Sequence, residues 1–505
     1  AGGTATVGKL NVTTTGTTAG TADNDGGIFV TTAEALTVGT LNTADGTSEN
    51  IAIATSADVP LTLAGLLGAG TAYVLDTDAV VLAPTGALTI SADLPLGSLS
   101  ATGGTTITVS NPITTANVTG GNSGAITLSA SGAIALNAAL TTGTGSAPTT
   151  GGNDEVTTGA ISVTSSTSTI TGNSAGKLTT GAATAAGGTG AGDDKATSGT
   201  ITLSASGAIQ LAAVDDALRT GDATVTTADT TADIATVGNI TVTTAAKLTS
   251  DGTTGKVDVK FGTPTAASGT ATVGKLNVTT TGAGGDAGGI FITTGEALTV
   301  GTLNTADGTS ENIAIAGTDI TLAGLSGAGT AYVLDTDVVT LTPSGALTIS
   351  ANLPLGSLSA TGGTTITVNN PITTASVTGG NSGDITLSGS GAIVLNAALI
   401  TGTASAPTTG GNDVVTTGAI NVTSSGSTIT GDSAGTLTTG AATAAGGASA
   451  GNDTATSGTI TLSASGAIQL AATDALQTGA ATVSTADTTA DIATVGNITV
   501  TTAAK

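Results

Sequence analysis

Residues 124–136 read GAITLSASGAIAL, and residues 199–211 repeat nearly the same letters as GTITLSASGAIQL. Both stretches place a small polar residue between two large aliphatic ones, as Thr127 lies between Ile126 and Leu128. Side chains alternate between the two sides of an extended strand, so this pattern predicts short strands with one buried side. The glycine and serine residues between the motifs are typical of turns.

The spacing of this aliphatic motif predicts how the strands are arranged. The motifs that follow Ile126 start 35 to 40 residues apart, and this wide spacing indicates either two coils or one coil with a long loop. Frequent short strands also suit a β-sandwich, but a strict 19-residue spacing favours a solenoid. We therefore predict an all-β parallel β-helix (β-solenoid) with coils of roughly 19–20 residues. The 19-residue steps separate the motif starts within each of two triplets: Leu88, Ile107 and Ile126, and Leu347, Ile366 and Ile385.

A longer repeat contains these motifs. Residues 5–16 (ATVGKLNVTTTG) recur as residues 271–282, and GNITVTTAAK occurs at both 238–247 and 496–505. The chain is therefore divided into two long repeats of about 260 residues, continuous with each other. Stacked arrays need atypical capping repeats. Because neither repeat resembles a cap, we expect the array to continue after the second GNITVTTAAK with a sequence like LTSDGTTG. The two long repeats are residues 1–266 and 267–505.

The composition predicts a narrow core. Glycine accounts for 77 of the 505 residues; Cys, Met, Trp and His are absent, and only two Tyr and three Phe occur. A globular core is filled by large aliphatic and aromatic side chains at near-crystalline density. Stacked β-coils need fewer of them. Disorder is disfavoured, since the mean hydropathy is +0.37 and only 9 % of residues are charged.

The charge balance excludes some functions. There are 34 acidic and 9 basic residues, a net charge of −25. Nucleic-acid binding needs clustered Lys and Arg, so it is not expected, and an anionic membrane surface would repel the chain. Polar residues interrupt every apolar stretch well before it reaches the length of a membrane span, and we expect no transmembrane helix. An acidic surface suits a secreted protein or one that binds divalent cations.

The segments quoted above, together with residues 86–96 (GALTISADLPL), resemble the repeats of filamentous-haemagglutinin-like large exoproteins. The resemblance covers residues 80–220 and 339–480 best. It implies a right-handed parallel β-helix that is secreted to the cell surface and serves in adhesion or in building a matrix. We also expect contacts with further copies of the protein and with cell-surface or glycan ligands.

Catalytic chemistry finds little support in the sequence. Without His and Cys, the common triads and zinc sites are excluded. The single arginine, Arg219, corresponds to Gln477 in the second repeat, and the pair Asp215 and Asp216 corresponds to one acid, Asp474. A β-helix enzyme acting on polysaccharides would need such groups. We therefore expect no enzymatic activity.

Acidic residues in glycine-rich turns are candidate calcium ligands. Calcium takes several oxygen ligands from carboxylates, amides and backbone carbonyls, and bound cations would reduce the self-repulsion of an acidic chain. Asn, Asp and Gly also form turns without any metal. Calcium is thus the one candidate cofactor. The candidate ligands are Asp23, Asp25, Asn153, Asp154, Asp193, Asp194, Asn412, Asp413, Asn452 and Asp453.

Tyr73 and Tyr332 occupy the same place in the two repeats. Asp76 and Asp78 follow the first tyrosine, and Asp335 and Asp337 follow the second. They either form a contact patch for a partner or fill a wider part of a coil. With the features above, we predict an extracellular structural or adhesive filament protein, a stiff solenoid that self-associates into surface fibres or matrix. The alternative is a surface-layer protein that forms a calcium-dependent lattice.

Overall fold

The structure is a computed structural model, and it describes residues 9–14, 27–43, 49–56, 58–65, 73–75, 77–147, 153–186, 192–226, 233–250, 255–282, 285–305, 310–324, 331–334, 336–406, 412–445, 451–484 and 490–504. Within these ranges the chain forms strands and turns without a helix, and the strands pair in parallel. The predicted all-β parallel β-solenoid is confirmed. None of the described residues belongs to a helix that is long and apolar enough to cross a membrane.

The chain is divided into two compact units, Ala1–Asn277 and Val278–Lys505, which we describe separately as the N-terminal and C-terminal units. The strand Leu276–Thr280 spans the boundary. This boundary concerns packing, whereas the boundary at 266/267 concerns the sequence repeat.

A full coil of the N-terminal unit contains five short strands. One coil begins with Ile161–Ser165, continues through the next four strands, and returns at Ile201, which pairs directly with Ile161. Strands at the same place in successive coils stack into five sheets, which we call faces 1 to 5 in chain order. Those four strands are Ile170–Gly172, Leu178–Thr179, Ala183–Ala185 and Lys195–Thr197.

The N-terminal unit has these strands. Face 1 contains Ile28–Thr32, Asn50–Thr55, Ala79–Ala83, Ser98–Thr102, Ile126–Ala130, Ile161–Ser165, Ile201–Ala205 and Ile240–Thr244. Face 2 contains Leu10–Thr13, Leu36–Asn42, Leu61–Leu63, Leu88–Ile90, Ile107–Val109, Ile134–Leu136, Ile170–Gly172, Ile209–Leu211 and Leu248–Thr249, with Tyr73–Val74 paired to the later half of Leu36–Asn42. Face 3 contains Leu94–Leu96, Ile113–Thr115, Leu140–Thr141, Leu178–Thr179, Leu218–Arg219 and Val257–Lys260. Face 4 contains Val118–Thr119, Gly145–Ser146, Ala183–Ala185, Ala223–Val225 and Pro264–Ala266, and face 5 contains Glu155–Thr157, Lys195–Thr197, Asp233–Thr236 and Gly269–Thr272.

The C-terminal unit repeats this arrangement. Face 1 contains Gly285–Thr293, Glu311–Gly317, Val338–Pro343, Ser357–Thr361, Ile385–Gly389, Ile420–Ser424, Ile460–Ala464 and Ile498–Thr502. Face 2 contains Leu298–Asn304, Ile320–Leu322, Ala346–Ile349, Thr365–Val368, Ile393–Leu395, Ile429–Gly431 and Ile468–Leu470, with Tyr332–Val333 paired to the later half of Leu298–Asn304. Face 3 contains Leu353–Leu355, Ile372–Thr374, Leu399–Ile400, Leu437–Thr438 and Leu476–Gln477. Face 4 contains Val377–Thr378, Ala404–Ser405, Ala442–Ala444 and Ala481–Val483, and face 5 contains Val414–Thr416, Thr454–Thr456 and Ile492–Thr494.

Within each unit the coils widen along one part of the stack. On face 1 of the N-terminal unit, Val80 pairs with Leu99, Leu99 with Ile126, Ile126 with Ile161 and Ile161 with Ile201, so each step along the chain is longer than the one before. The coil that starts at Val80 has three strands, whereas the coils that start at Ile126 and Ile161 have two more, on faces 4 and 5. The C-terminal unit widens in the same way along the register partners Val339, Leu358, Ile385, Ile420 and Ile460.

The predicted coil length of roughly 19–20 residues is confirmed for the narrow coil that runs from Val80 to Leu99 and is wrong for the wide coils, such as that from Ile161 to Ile201. Leu88 does pair with Ile107. Ile107, however, pairs next with Ile134, and Ile126 lies on another face and pairs with Leu99. The motif has the same period of two on every face, so it marks a strand without telling which face the strand belongs to. The wide motif spacing of the sequence is one coil with two added strands.

Two interiors fill a wide coil. Ile107, Ile134, Ile170 and Ile209 stack in register and are fully buried, as part of an aliphatic core between faces 1, 2 and 3. Small side chains pack between faces 4 and 5, where alanine lets the two sheets approach closely. These residues form the alanine lobe: Ala147, Val156, Ala183, Ala185, Ala196, Ala223, Val225, Ala235 and Val237, with Ala404, Val415, Ala442, Ala444 and Ala455 in the C-terminal unit.

Candidate functional sites

A hydrogen-bonded seam runs between the aliphatic core and the alanine lobe. In most wide coils the chain crosses from face 3 to face 4, and returns from face 5 to face 1, through a Thr-Gly or Ser-Gly step. Thr158 Oγ1 donates to the carbonyl oxygen of Gly181 at 2.8 Å and accepts the N–H of Gly199 at 2.8 Å. Thr142 Oγ1 likewise donates to Gly159 O and accepts from the N–H of Gly181. Each hydroxyl thus satisfies two buried backbone groups, which would be costly to leave without partners.

The glycines of this Thr–Gly seam are required by close backbone approach. A methyl group on Gly181 would overlap the carbonyl group of Gly143 in the coil before it, and a methyl group on Gly199 would overlap that of Gly159. The seam recurs in the C-terminal unit, where Thr417 Oγ1 donates to Gly440 O at 2.9 Å. The frequent Thr-Gly dipeptides of the sequence therefore have a structural role.

The predicted acidic ligands of face 5 separate into two groups. Asp154 and Asp194 point inward and stack with Asp233, which the sequence analysis did not single out. The N–H of Asp154 donates to Asp194 Oδ1 at 2.8 Å, and the N–H of Asp194 donates to Asp233 Oδ1 at 3.4 Å. Ser268 donates to Asp233 Oδ2 at 2.9 Å. These carboxylates form an aspartate ladder that satisfies backbone N–H groups at the start of the strands.

The C-terminal unit contains a second aspartate ladder. The N–H of Asp413 donates to Asp453 Oδ1 at 2.9 Å, and the N–H of Asp453 donates to Asp491 Oδ1 at 3.1 Å. Asp154 Oδ2 and Asp413 Oδ2, the corresponding oxygens of the two ladders, are buried and accept no hydrogen bond. Asp491, like Asp233, could have been found from the sequence, because it continues the spacing of the two earlier acids.

Four further predicted ligands, Asn153, Asp193, Asn412 and Asn452, lie at the surface. Asn153 and Asp193 border a surface cavity of about 260 Å³ together with Glu155 and Lys195. In the C-terminal unit the N–H of Asn452 donates to the side-chain oxygen of Asn412 at 2.8 Å. Asp23 and Asp25 lie outside the described residues. Over the described ranges, no three acidic side chains converge in a way that would hold a metal ion, and calcium binding stays a prediction.

A buried pair of acids lies elsewhere in the C-terminal unit. Asp337 and Glu311 are both fully buried. Asp337 Oδ2 accepts the hydroxyl of Thr305 at 2.8 Å, Oδ1 accepts the N–H of Glu311 at 2.9 Å, and the Glu311 side chain also hydrogen-bonds Asp337. Burial raises the pKa of Asp337 to about 8, although the Glu311 N–H acts in the opposite direction. The folded chain therefore holds a proton on this carboxyl group at pH values where an ordinary aspartate has lost it.

The N-terminal unit has the same constellation. Thr43 donates to Asp78 Oδ2 at 2.7 Å, and the N–H of Glu49 donates to Asp78 Oδ1 at 2.9 Å. Both acids are buried. The sequence placed Asp78 near a shared tyrosine but gave no sign that Glu49 would lie beside it, because they meet only through the coil register.

The two tyrosines fill the interior. Tyr73 donates its hydroxyl to Val38 O at 3.0 Å, and Tyr332 donates to Val300 O at 2.8 Å. Burial raises the pKa of Tyr73 to about 12 and also raises that of Tyr332. Both rings are inaccessible to solvent, which agrees with the alternative that they fill a wider part of a coil.

Two open surface cavities of the C-terminal unit lie beside Tyr332, Pro354 and Thr373. One has a volume of about 590 Å³ and is bordered by the amides Asn352 and Asn370. The other, of about 780 Å³, is mostly apolar. They are shallow depressions on face 3, and neither brings acidic or basic side chains together.

The chain matches no protein-family model, no curated protein and no solved structure. Its class is defined by its own strand pairing as an all-β parallel solenoid with two repeats.

Proposed function

We propose that the protein is an extracellular structural or adhesive filament protein that self-associates into surface fibres or matrix. The observation that carries the proposal is the parallel stacking of coils in each unit, in which the described strands of one coil pair with those of the next. Such a stack resists bending and can be extended by further coils. The resemblance to haemagglutinin-like exoproteins supports secretion and a surface location.

The outer side of face 1 supports the adhesive part of the proposal. Thr127, Ser162, Thr202 and Thr241 stack in register and form a column of hydroxyl groups. A regular column of this kind offers hydrogen bonds to a neighbouring filament or to glycan hydroxyls. The cavity bordered by Asn352 and Asn370 is a second candidate place for a glycan, which would find amide groups there.

The proposal assigns no enzymatic activity. Many of the described polar side chains, such as those of Thr158 and Asp194, are hydrogen-bonded to backbone groups of a neighbouring coil, an arrangement that stabilises the stack. His and Cys are missing from the sequence.

Calcium is proposed as a stabiliser of the acidic turns on face 5. Asp154 Oδ2 and Asp413 Oδ2 are buried oxygens with unused acceptor capacity. A cation there would offset the repulsion between stacked carboxylates.

Electron microscopy of the native protein tests the proposal. We expect long thin filaments whose diffraction contains an axial spacing of ~4.8 Å, and fraying after chelation if calcium holds the acidic turns. A planar lattice would favour the surface-layer alternative. Compact monomeric particles in both conditions would contradict the structural role.

A further inference from the structure

The outer side of face 1 in the N-terminal unit carries hydroxyl groups in two dimensions. From Ser98–Thr102 onward its strands are five residues long, so each strand has room for two outward hydroxyl side chains with one buried residue between them. Strand pairing places these side chains opposite one another, as Ser162 lies opposite Thr202. We call this set the hydroxyl array. Its rows are Ser100 and Thr102, Thr127 and Ser129, Ser162 and Thr164, Thr202 and Ser204, and Thr241 and Thr243.

The parallel sheet fixes two repeat distances of the hydroxyl array. Neighbouring strands lie about 4.8 Å apart, and alternate residues of one strand lie about 6.6 Å apart. Both distances recur at every step, because the pairing has no register shift over these strands. Every member is Ser or Thr, which carry the hydroxyl on Cβ, so the oxygens lie at about the same distance from the backbone. The array is therefore a small lattice of hydroxyl groups.

The hydroxyl groups of this lattice are available to an external partner. All of their side chains are at least partly exposed, and they make no hydrogen bond to another described residue. Hydroxyls nearby differ in this respect, since Ser165 donates to Gly132 O at 2.7 Å and Thr167 donates to Ser131 O at 2.6 Å. The outward positions of the same strands hold no charged and no aromatic residue, although the whole chain has a net charge of −25. The lattice therefore suits an uncharged partner that forms hydrogen bonds.

The C-terminal unit contains four rows of the same array. Only one of their positions lacks a hydroxyl, and Asn421 at that position carries an amide that also forms hydrogen bonds. The two-column arrangement is thus present in both units. These rows are Ser359 and Thr361, Thr386 and Ser388, Asn421 and Thr423, and Thr461 and Ser463.

A partner that engages every row of the array must itself be a lattice. A protein or a single glycan presents its hydrogen-bonding groups at irregular distances and would meet only a few rows at once. The surface of ice is an uncharged lattice of water molecules, and its repeat distances are similar in size to those of the array. Each hydrogen bond to that surface is weak, because liquid water competes for the same hydroxyl. A rigid array nevertheless makes many such bonds together, so the bound state is retained.

We propose that the hydroxyl array on face 1 binds ice. The inference rests on the adhesive part of the proposed function and specifies its partner as the surface of an ice crystal. Five rows span about 19 Å along the stack, and each further coil with the same face 1 strand would lengthen the array by one row. A filament of such coils would attach to ice along its whole length.

The growth of single ice crystals in a solution of the full chain tests the inference. Bound protein stops the crystal surface from advancing, so the unchanged chain should hold the freezing point below the melting point and give faceted crystals. Thr202→Tyr with Thr461→Tyr puts a bulky ring inside the array of each unit and should reduce this gap by about fivefold or more, because neighbouring rows can no longer reach the surface together. Thr184→Tyr with Thr443→Tyr is the matched control on the outer side of face 4 and should leave the gap unchanged.

The absence of any gap with the unchanged chain would overturn the inference without recourse to a variant. An equal loss in both pairs of variants would also overturn it, as would sedimentation with microcrystalline cellulose together with no effect on ice. If microscopy shows filaments and ice growth is unaffected, the filament proposal stands and only this inference fails. If the chain stops ice growth and remains monomeric, ice binding stands and self-association is contradicted.

Discussion

Replacing Asp337 by asparagine should make the stability of the C-terminal unit less dependent on pH. Asparagine has nearly the same shape, and its oxygen can accept the N–H of Glu311 as Asp337 Oδ1 does. Its amide group can donate to Glu311 and to Thr305 Oγ1. The Thr305 hydroxyl can then donate to Val333 O, which lies 3.2 Å away. The variant therefore removes the titrating proton and keeps the hydrogen bonds.

The expected magnitude follows from the pKa of Asp337, which is raised from 3.8 to about 8. Between these two pH values the folded chain holds a proton on Asp337 that the unfolded chain has lost. The contribution of this proton to the free energy of unfolding is therefore fully present below pH 3.8 and is lost as the pH rises towards 8. Each pKa unit corresponds to about 1.36 kcal/mol. Between pH 3.8 and pH 7 the loss is then on the order of 4 kcal/mol.

Amide hydrogen exchange in the strands Glu311–Gly317 and Val338–Pro343 measures this effect locally. Local measurement is needed because long repeat arrays do not unfold as one unit. In the unchanged protein, protection corrected for intrinsic exchange should fall by up to about a thousandfold between pH 4 and pH 7. In the Asp337→Asn protein it should change by less than tenfold. Glu296→Gln, which removes one negative charge at an exposed position of the same unit, should behave like the unchanged protein. Equal pH dependence in Asp337→Asn and the unchanged protein would refute the reasoning.

Three further changes concern the coil interior, and each can be measured by hydrogen exchange in the N-terminal unit. Thr158→Val removes the hydroxyl that serves Gly181 and Gly199 and should cost about 1–3 kcal/mol, whereas Thr158→Ser should cost less than half as much. Gly181→Ala should destabilise the N-terminal unit more than Thr158→Val does, because the added methyl group meets the backbone of Gly143, which cannot move aside. A loss of stability below about 1 kcal/mol would contradict the close approach of these two glycines. Ile209→Ala should cost about 2–5 kcal/mol through the cavity it leaves in the aliphatic core, while Gln210→Ala on the outer side of the same strand should change stability by less than about 0.5 kcal/mol.

The fold class could be predicted from the sequence, but the assignment of strands to the faces of a coil could not. The motif at Ile126 predicted a strand with one buried side, and parallel stacking followed from its recurrence. The choice of face did not follow, because Ile107 and Ile126 carry the same pattern on different faces. The alanine lobe was also missed, since residues such as Ala183 have too little hydrophobic area to signal a core.

The acidic turns show why the candidate site was predicted only in part. Alternation along the strand turns Asp154 inward and leaves Asn153 and Glu155 outside, so neighbouring letters do not form one ligand set. Asp337 and Glu311 lie side by side because the length of their coil places Asn312 opposite Val338, the residues that directly follow the two acids. A coil length of that kind cannot be read from the sequence.

The interpretation of the wide motif spacing as a single coil is tested most directly by a disulfide on the outer side of face 1. Ser162 and Thr202 are register partners in successive coils. Ser162→Cys with Thr202→Cys should oxidise within the chain, and Ser162→Cys with Ala182→Cys should not, because Ala182 follows the face 3 strand Leu178–Thr179. If instead the Ala182 pair forms the disulfide and the Thr202 pair stays reduced, the coil is about half as long as described here, and the five-face solenoid is contradicted.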